Sequence, residues 1–168
     1  SLNTINLNSD TNSENSVNRH RLALGEFVKG NISRAKNILE KDYYEDKYNI
    51  YIASLMSEIY WANDEKNKAR DILHSILEIY PDNNAITFQL LKYNIKDSIK
   101  LDESVKKLSI IMNNNDHNPL AYKLLAEGYE KIQEKYNAKL ALINFYNIKG
   151  NMPMAFRVID DGLTSDEL

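Results

Sequence analysis

Residues 122–146 read YKLLAEGYEKIQEKYNAKLALINFY, and this stretch decides the fold because it contains two apolar patterns of helical spacing. In the first pattern Tyr122, Leu125 and Tyr129 follow one another at i, i+3 and i+7, the spacing of an amphipathic helix. After a polar break, Ala138 opens a second pattern of the same kind. The stretch therefore predicts a hairpin of two helices.

The same pattern recurs along the chain. Large residues at Leu39, Leu73, Leu108 and Leu142 are 34, 35 and 34 residues apart, and a small residue stands four positions before each of them. The small residues are Ala35, Ala69, Ser104 and Ala138, a third column contains Leu22, Met56, Leu91 and Leu125, and Tyr60 and Tyr129 share a fourth column. A small residue beside a large one lets two helices pack closely, and a period of this length predicts an α-solenoid of stacked hairpins.

The pattern ends on a half-repeat. Ala155 follows Ala138 by 17 residues, half a period, and Gly150 precedes it as Gly30 precedes Ala35. The eighth helix is therefore expected to belong to two hairpins. We predict nine helices, over residues 16–29, 32–42, 48–62, 65–80, 84–95, 102–112, 119–132, 135–149 and 153–162. Gly30 and Gly150 are expected to end helices, and Asn118 and Asp64 to cap them.

Composition agrees with an all-helical protein. The chain has 168 residues, 43% of them hydrophobic, with only 5 Gly and 3 Pro, too few turn residues for a many-stranded sandwich. Its net charge of −3 disfavours nucleic acid as a partner. Cysteine is absent, which excludes disulfides and thiolate chemistry, and no apolar run is long enough to span a membrane.

The domain organisation follows from these patterns. Residues 1–15 are polar, rich in Asn and Ser and without a period, so we expect a flexible leader. Residues 16–162 are expected to form the repeat domain and residues 163–168 a C-terminal tail, and the acidic end with Asp160, Asp161, Asp166 and Glu167 is expected to be solvated. The start at Ser1 and the lack of a signal segment suggest a processed product or a piece of a longer protein.

The repeats resemble the tetratricopeptide repeat (TPR), whose unit carries large, small and aromatic residues in these columns. The stretch 122–142 matches the family pattern in order, as does 56–81 with Met56, Ser57, Tyr60, Ala69, Leu73 and Pro81. The first repeat departs from it with Glu26 at the aromatic column. The third departs with Asn94 at that column and one inserted residue. The residues expected to pack the repeats are Leu39, Ala69, Leu73, Leu125, Ala126, Tyr129, Ala138, Leu142 and Ala155.

A narrower resemblance covers residues 119–163, PLAYKLLAEGYEKIQEKYNAKLALINFYNIKGNMPMAFRVIDDGL. This segment looks like the C-terminal repeat region of periplasmic zinc metallopeptidases of the BepA (YfgC) type, which has the same shared-helix ending. The resemblance implies a periplasmic location, a protease domain upstream and contact with the machinery that assembles outer-membrane proteins. This chain has no HExxH motif, so any zinc chemistry would lie outside it.

The TPR resemblance also implies a binding surface, because first helices of TPR hairpins line a groove for partners. It places there Tyr51, Ser54, Glu58, Trp61, Phe88, Lys92, Lys96, Lys123, Glu127 and Lys131. Trp and Tyr among charges often dominate interfaces. The alternative is that Trp61 and Phe88 only fill space between repeats. The clamp for a free C-terminus that some members carry needs Asn where this chain has Glu58 and Glu127, so it is not expected.

No catalytic site is predicted. Asp71, His74 and Glu78 share a helix face at a spacing that could bind metal, but such triplets are usually solvated. The other histidines, His20 and His117, are scattered, and no nucleophile is paired with a base. We therefore expect no cofactor and no metal in this chain.

Three functions remain open. The leading hypothesis is a non-catalytic module that binds a protein partner, as the C-terminal TPR region of a BepA-like metallopeptidase. The second is a free-standing TPR adaptor without a protease, in the periplasm or the cytoplasm, and reading the parent gene upstream of Ser1 separates the two. The third is an enzyme with its site in the helical groove, which turnover or stoichiometric metal binding by the isolated chain would favour.

Overall fold

The computed structural model describes the backbone of residues 3–113 and 118–163, and the side chains of residues 15–112 and 118–161. In these ranges it has nine α-helices and no strand. The helices are α1 (Asn3–Val28), α2 (Ile32–Glu45), α3 (Ile50–Ala62), α4 (Lys66–Ile79), α5 (Asn84–Lys96), α6 (Leu101–Asn113), α7 (Pro119–Lys131), α8 (Lys135–Ile148) and α9 (Met152–Leu163). The all-helical class and the number of helices are confirmed.

The first helix begins earlier than predicted. It runs from Asn3, whereas the sequence predicts structure only from Ser16. No Pro or Gly occurs before Gly25, and Asn and Ser reduce helix stability only modestly, so a helix nucleated downstream can extend through them. The predicted leader is thus helical in its backbone from Asn3 onward. The acidic residues Asp166 and Glu167 lie outside the described residues.

One turn closes every hairpin. At its centre a residue has a positive φ: Gly30 (82°), Asp64 (62°), Ser98 (58°), Gln133 (63°) and Gly150 (68°). The next residue donates its N–H to a carbonyl five residues back, with distances of 2.9 Å (Asn31 to Glu26), 2.9 Å (Glu65 to Tyr60), 2.8 Å (Ile99 to Asn94), 2.9 Å (Glu134 to Tyr129) and 2.9 Å (Asn151 to Tyr146). This is the Schellman motif, which satisfies the free carbonyls at a helix end.

The recurrence of this turn tests the sequence columns. The main-chain carbonyls of Glu26, Asn94 and Tyr129 each accept this hydrogen bond. The aromatic column therefore keeps its place at the helix end even in the two repeats where the residue is not Tyr. The turn after Tyr146 confirms the predicted half-repeat. Asp64 does not cap α4 as predicted: it takes the positive φ, and Glu65 is the N-cap residue without a side-chain cap bond.

The one-residue insertion in the third repeat lies in the turn between α5 and α6. Ser98 and Lys100 both have positive φ there. Ser104 donates its N–H to the Lys100 carbonyl at 2.8 Å, as Ala69 does to Glu65, but Lys100 follows Ser98 by two residues whereas Glu65 follows Asp64 by one. Counting back from this turn, Leu90 and not Leu91 corresponds to Met56. The predicted column is therefore wrong by one residue in α5, although both leucines are buried.

Asparagines begin the first helix of each later hairpin. The side-chain oxygen of Asn49 accepts from the N–H of Tyr51 and Ile52, and that of Asn83 accepts from Ile86 at 3.0 Å. Asn118 accepts from Leu120 at 3.0 Å, as predicted. These bonds satisfy N–H groups that a helix start otherwise leaves free.

The packing columns are buried in most positions. Leu39, Leu73 and Leu108 are fully buried, and Ala35, Ala69, Ala126, Ala138 and Ala155 are buried beside them. Leu125 is also buried, while Tyr129 and Leu142 are half-buried. In the α3–α4 hairpin the approach is close enough for the Ser57 hydroxyl to donate to the Ala69 carbonyl at 2.9 Å.

Leu22 is the exception among the columns. It is 60% exposed, because α1 buries the face that carries Ala23 and Glu26 instead.

The chain divides into two compact units, Ser1–Ile86 and Thr87–Leu168, a division that the sequence analysis does not predict. In the first unit α1 packs on α2, α2 on α3 and α3 on α4. In the second, α6 packs on α7, α7 on α8 and α8 on α9. Among the described helices, none is both long and apolar enough to cross a membrane.

Candidate protein-binding surface

The first unit presents the predicted surface on α3. Asn49 caps this helix and so sets its start. Tyr51 is 78% exposed, and Ser54 and Glu58 are partly exposed on the same face. A tyrosine at the start of this face offers a large contact area with few rotatable bonds, which suits it to bind a protein segment.

Trp61 lies at the other end of this face. It is partly buried, with the Lys66 ammonium 5.3 Å and the Arg70 guanidinium 5.9 Å from the ring centroid. Arg70 is itself buried and donates to Asn67 at 2.8 Å. The Trp61 ring thus packs against two cations from the second helix of its own hairpin.

In the second unit, Phe88 fills space. It packs partly buried against the apolar cluster of α5, α6 and α7, which is the space-filling alternative. The Lys92 ammonium lies 5.2 Å from the centroid of Tyr93, whereas Lys123 is exposed on α7. Of these three residues, Lys123 is the most open to a partner.

Three other predicted surface residues bind one another. Glu127 forms ion pairs with Lys96 and with Lys131, the second at 3.7 Å. The Lys131 ammonium also donates to the carbonyls of Ile95 at 2.6 Å and Lys96 at 2.9 Å. Because the last carbonyls of a helix lack partners and carry partial negative charge, Lys131 fixes the end of α5 to α7.

Sequence reasoning missed a tyrosine-lined groove in the first unit. It has a volume of about 240 Å³ and is lined by Tyr43, Tyr44, Tyr60, Lys68, Asp71, Ile72 and Ser75. Tyr60 is buried and hydrogen-bonded to Tyr44, and burial is the larger cause that raises its pKa. The adjacent Tyr43 and Tyr44 late in α2 were the available signal, but only the hairpin packing brings Tyr60 beside them.

A charged network closes one side of this groove. Glu65 accepts hydrogen bonds from Lys36 at 2.8 Å, Lys68 at 2.5 Å and Asn63 at 2.7 Å. These bonds lower the pKa of Glu65 to about 2. The Lys36 and Lys68 ammonium groups also lie 4.8 and 5.3 Å from the Tyr60 ring centroid. Lys68, the cation that lines the groove, is thus already paired, and the rest of the lining is aromatic, aliphatic and hydroxyl surface with the Asp71 carboxylate.

The triplet Asp71, His74 and Glu78 lies on an exposed face of α4. Within the part of the chain that the structure describes, no three His, Asp or Glu side chains are grouped to hold a metal ion. His20 is half-buried on α1, and His117 lies outside the described residues.

No protein-family model matches the sequence, and no curated protein does. Solved structures do match the fold. MamA 41-end from Desulfovibrio magneticus RS-1 has a TM-score of 0.67 at 11% identity, over 91% of this chain and 98% of that chain. MamA from AMB-1 has a TM-score of 0.63 at 17% identity over 89% and 98%, and the RS-1 ArsTM double mutant one of 0.66 at 12% over 80% and 75%.

These identities are low, so the likeness concerns the fold. MamA is an all-helical, TPR-like protein, and the nine described helices of this chain match that type of fold. Together with the recurring turn and the buried columns, the likeness confirms the TPR-type interpretation of the sequence. The chain has a TPR-like, all-helical fold.

Proposed function

We propose that this chain is a non-catalytic module that binds another protein through the face of α3 that carries Tyr51, Ser54 and Glu58. The observation that carries the proposal is Tyr51, a large aromatic residue left 78% exposed on the face that TPR folds use for partners. Trp61 and its two cations extend the same face toward the end of the helix. The TPR-like fold supports a protein partner.

The test is selection of a displayed random-peptide library on the immobilised chain. Peptides that bind the chain should lose at least about tenfold in affinity on Tyr51→Glu, the loss expected from an interface anchor. The control is Ile110→Glu, which changes an exposed apolar residue on the second helix of another hairpin. Enrichment of no peptide, or equal binding by both variants, would contradict the proposal.

The finer proposal is that the module is the C-terminal TPR region of a BepA-like periplasmic metallopeptidase, acting in quality control of outer-membrane assembly. Its support is the resemblance of residues 119–163 alone. In that case the parent gene encodes an HExxH segment upstream of Ser1, and the partners are assembly machinery or client proteins. A parent gene without that segment leaves a free-standing adaptor, and the periplasmic location loses its support.

We propose further that the chain needs no cofactor. Dialysed protein should bind no metal stoichiometrically and should show no turnover. Either result to the contrary would favour the enzyme hypothesis.

A further inference from the structure

The tyrosine-lined groove of the first unit has walls from three helices. Tyr43 and Tyr44 stand in the last turn of α2, and Tyr60 comes from α3. One face of α4 forms the remaining wall, because its lining residues stand at i, i+3, i+4 and i+7: Lys68, Asp71, Ile72 and Ser75. The volume of about 240 Å³ equals roughly eight water molecules of about 30 Å³ each, which suits one long side chain and not a helix.

The two ends of the groove differ in charge. Lys36 early in α2 and Lys68 early in α4 both donate to Glu65, at 2.8 and 2.5 Å, so these two cations gather where the helices begin. Tyr43 lies seven residues further along α2 and Ser75 seven residues further along α4, a rise of about 10 Å in each helix. This far end of the groove therefore lies two turns beyond both lysines.

Asp71 provides an unpaired carboxylate between these two ends. Its main-chain carbonyl accepts from the Ser75 hydroxyl at 3.0 Å, but no side chain in the described part of the chain forms an ion pair with its carboxylate. The Lys68 ammonium bonds Glu65, three residues before it, whereas Asp71 stands three residues after it. Asp71 is exposed, so a ligand can reach it.

Carboxylates outnumber ammonium groups around the groove. Burial and the hydrogen bond with Tyr44 are the largest causes that raise the pKa of Tyr60, and the charges of Glu40 and Glu65 raise it further. With Asp71 there are three carboxylates against the two ammonium groups of Lys36 and Lys68, an excess of one negative charge.

The other charged groups late in α2 do not cancel this excess. Lys41 pairs with Glu45 at 3.6 Å, and Asp42 is bound by Arg19. The Lys47 ammonium lies 4.9 Å from the ring centroid of Tyr48, which is not among the lining residues. The groove thus favours a cation over an anion.

The lining decides which cation fits. An apolar side chain would cover the Asp71 carboxylate without replacing its water, which is unfavourable. A guanidinium is planar and less strongly hydrated than an ammonium, stacks on aromatic rings, and can donate to a carboxylate at the same time. Tyr44, 68% exposed, offers it a ring, and the Ser75 hydroxyl oxygen is a further acceptor.

We infer that the tyrosine-lined groove binds an arginine side chain of a partner protein, with the guanidinium stacked on Tyr44 and paired with the Asp71 carboxylate. Tyr51 is not among the lining residues, so this site is separate from the α3 face.

The experiment titrates Nα-acetyl-arginine methylamide, whose capped ends imitate a residue within a chain, into the isotope-labelled whole chain. The backbone amide chemical shifts of Tyr44, Asp71 and Ser75 should change and saturate. The citrulline analogue, which has the same shape without the charge, should bind at least about tenfold more weakly. The lysine analogue, which has the charge without the planar group, should bind at least about threefold more weakly.

Substitutions locate the site. Asp71→Asn and Tyr44→Ala should each weaken binding of the arginine probe by at least about fivefold, whereas Tyr44→Phe, which keeps the ring, should retain it. The matched controls are Glu130→Gln and Tyr136→Ala in the second unit, where Glu130 is exposed and Tyr136 is 68% exposed, as Tyr44 is. Both controls should leave the affinity unchanged.

Several results would overturn the inference: no saturating shift at the groove, equal binding of the citrulline or lysine analogue, or equal affinities of the Asp71→Asn and Glu130→Gln chains. Free arginine that binds at least about tenfold more tightly than the capped probe would assign the groove to the free amino acid instead of a partner protein. Tyr51→Glu should not change the affinity, so failure of this inference and failure of the α3 proposal can be told apart.

Discussion

Both units bury apolar side chains, and the first unit also buries the charged residues Glu26, Asp42 and Arg70. In the first unit, charged side chains join α1, α2 and α4: Arg19 donates to both oxygens of buried Asp42 at 2.8 Å, and Lys36 bonds Glu65 at 2.8 Å. Glu26 is also buried and accepts from Asn31 at 2.9 Å. In the second unit α5, α6 and α7 share an apolar cluster, and Glu127 forms ion pairs with Lys96 and Lys131 at the ends of α5 and α7.

The difference indicates which substitutions should destabilise each unit most. A buried ion pair gains little net stability because its charges must leave water, but removal of one partner leaves the other buried without compensation. An apolar cluster is sensitive to volume, since a deleted side chain leaves a cavity and an added one has no room. The expected effects below run from the largest to the smallest.

The largest effect should come from a cavity in the second unit. Leu108→Ala removes a fully buried side chain from the cluster, and we expect a loss of about 3 kcal/mol in the free energy of unfolding. Urea denaturation measures it. Ile110→Ala, exposed on the same helix, should cost less than about 0.5 kcal/mol. Equal losses would mean that α6 does not pack as described.

In the first unit, Arg19→Met should cost about 2 kcal/mol, because Asp42 keeps its charge in a buried position without a partner. The double variant with Asp42→Leu should recover most of the loss, since it removes the stranded charge. A double-mutant cycle from urea midpoints gives the comparison. If the double variant is no more stable than the single one, the pair does not tie α1 to α2.

Overpacking tests both units at one column. Ala69→Leu and Ala138→Leu should each cost roughly 1 to 3 kcal/mol, because a buried small residue has no space for three further carbons. The matched control is Ala62→Leu at the exposed end of α3. Unchanged midpoints in both core variants would count against the repeat register.

Two helical glycines give a smaller and opposite pair of effects. Gly128→Ala should destabilise by about 1 kcal/mol, because a methyl group 2.6 Å from Val105 outweighs the better helix propensity of alanine. Gly25→Ala meets nothing within 4 Å and should be neutral or stabilising by up to about 1 kcal/mol. Urea midpoints of the two variants measure the effects, which should have opposite signs. The same sign for both would mean that Gly128 is not needed for the close contact between α7 and Val105.

The smallest effect depends on pH. Hydrogen bonds from Lys36, Lys68 and Asn63 lower the folded pKa of Glu65 to about 2, from 4.5. The stability that Glu65 contributes is then complete above pH 4.5 and is lost as the pH falls toward 2. The difference in urea midpoint between the wild type and Glu65→Gln should shrink over this range. A difference that stays constant from pH 7 to pH 2.5 would contradict the prediction.

Local spacing was enough for most of the fold. Helix periodicity, the 34-residue columns and the glycines at 30 and 150 predicted the hairpins and the half-repeat, because these features depend on residues near one another in the chain. The start of α1 and the column in α5 were wrong. A polar helix without a breaker has no local signal for its start. The extra residue of the third repeat lies in the turn between α5 and α6, so the sequence spacing alone did not show on which side of α5 it falls.

Other features needed the tertiary structure. The columns could name Glu26 and Asn94 as departures, but not that both keep the same backbone hydrogen bond. They could place Lys131 on a binding face, but not show that it binds the end of α5. The tyrosine groove likewise depends on which helix lies beside which. Periodicity reports the faces of each helix; only packing determines whether a given face meets a neighbouring helix or water.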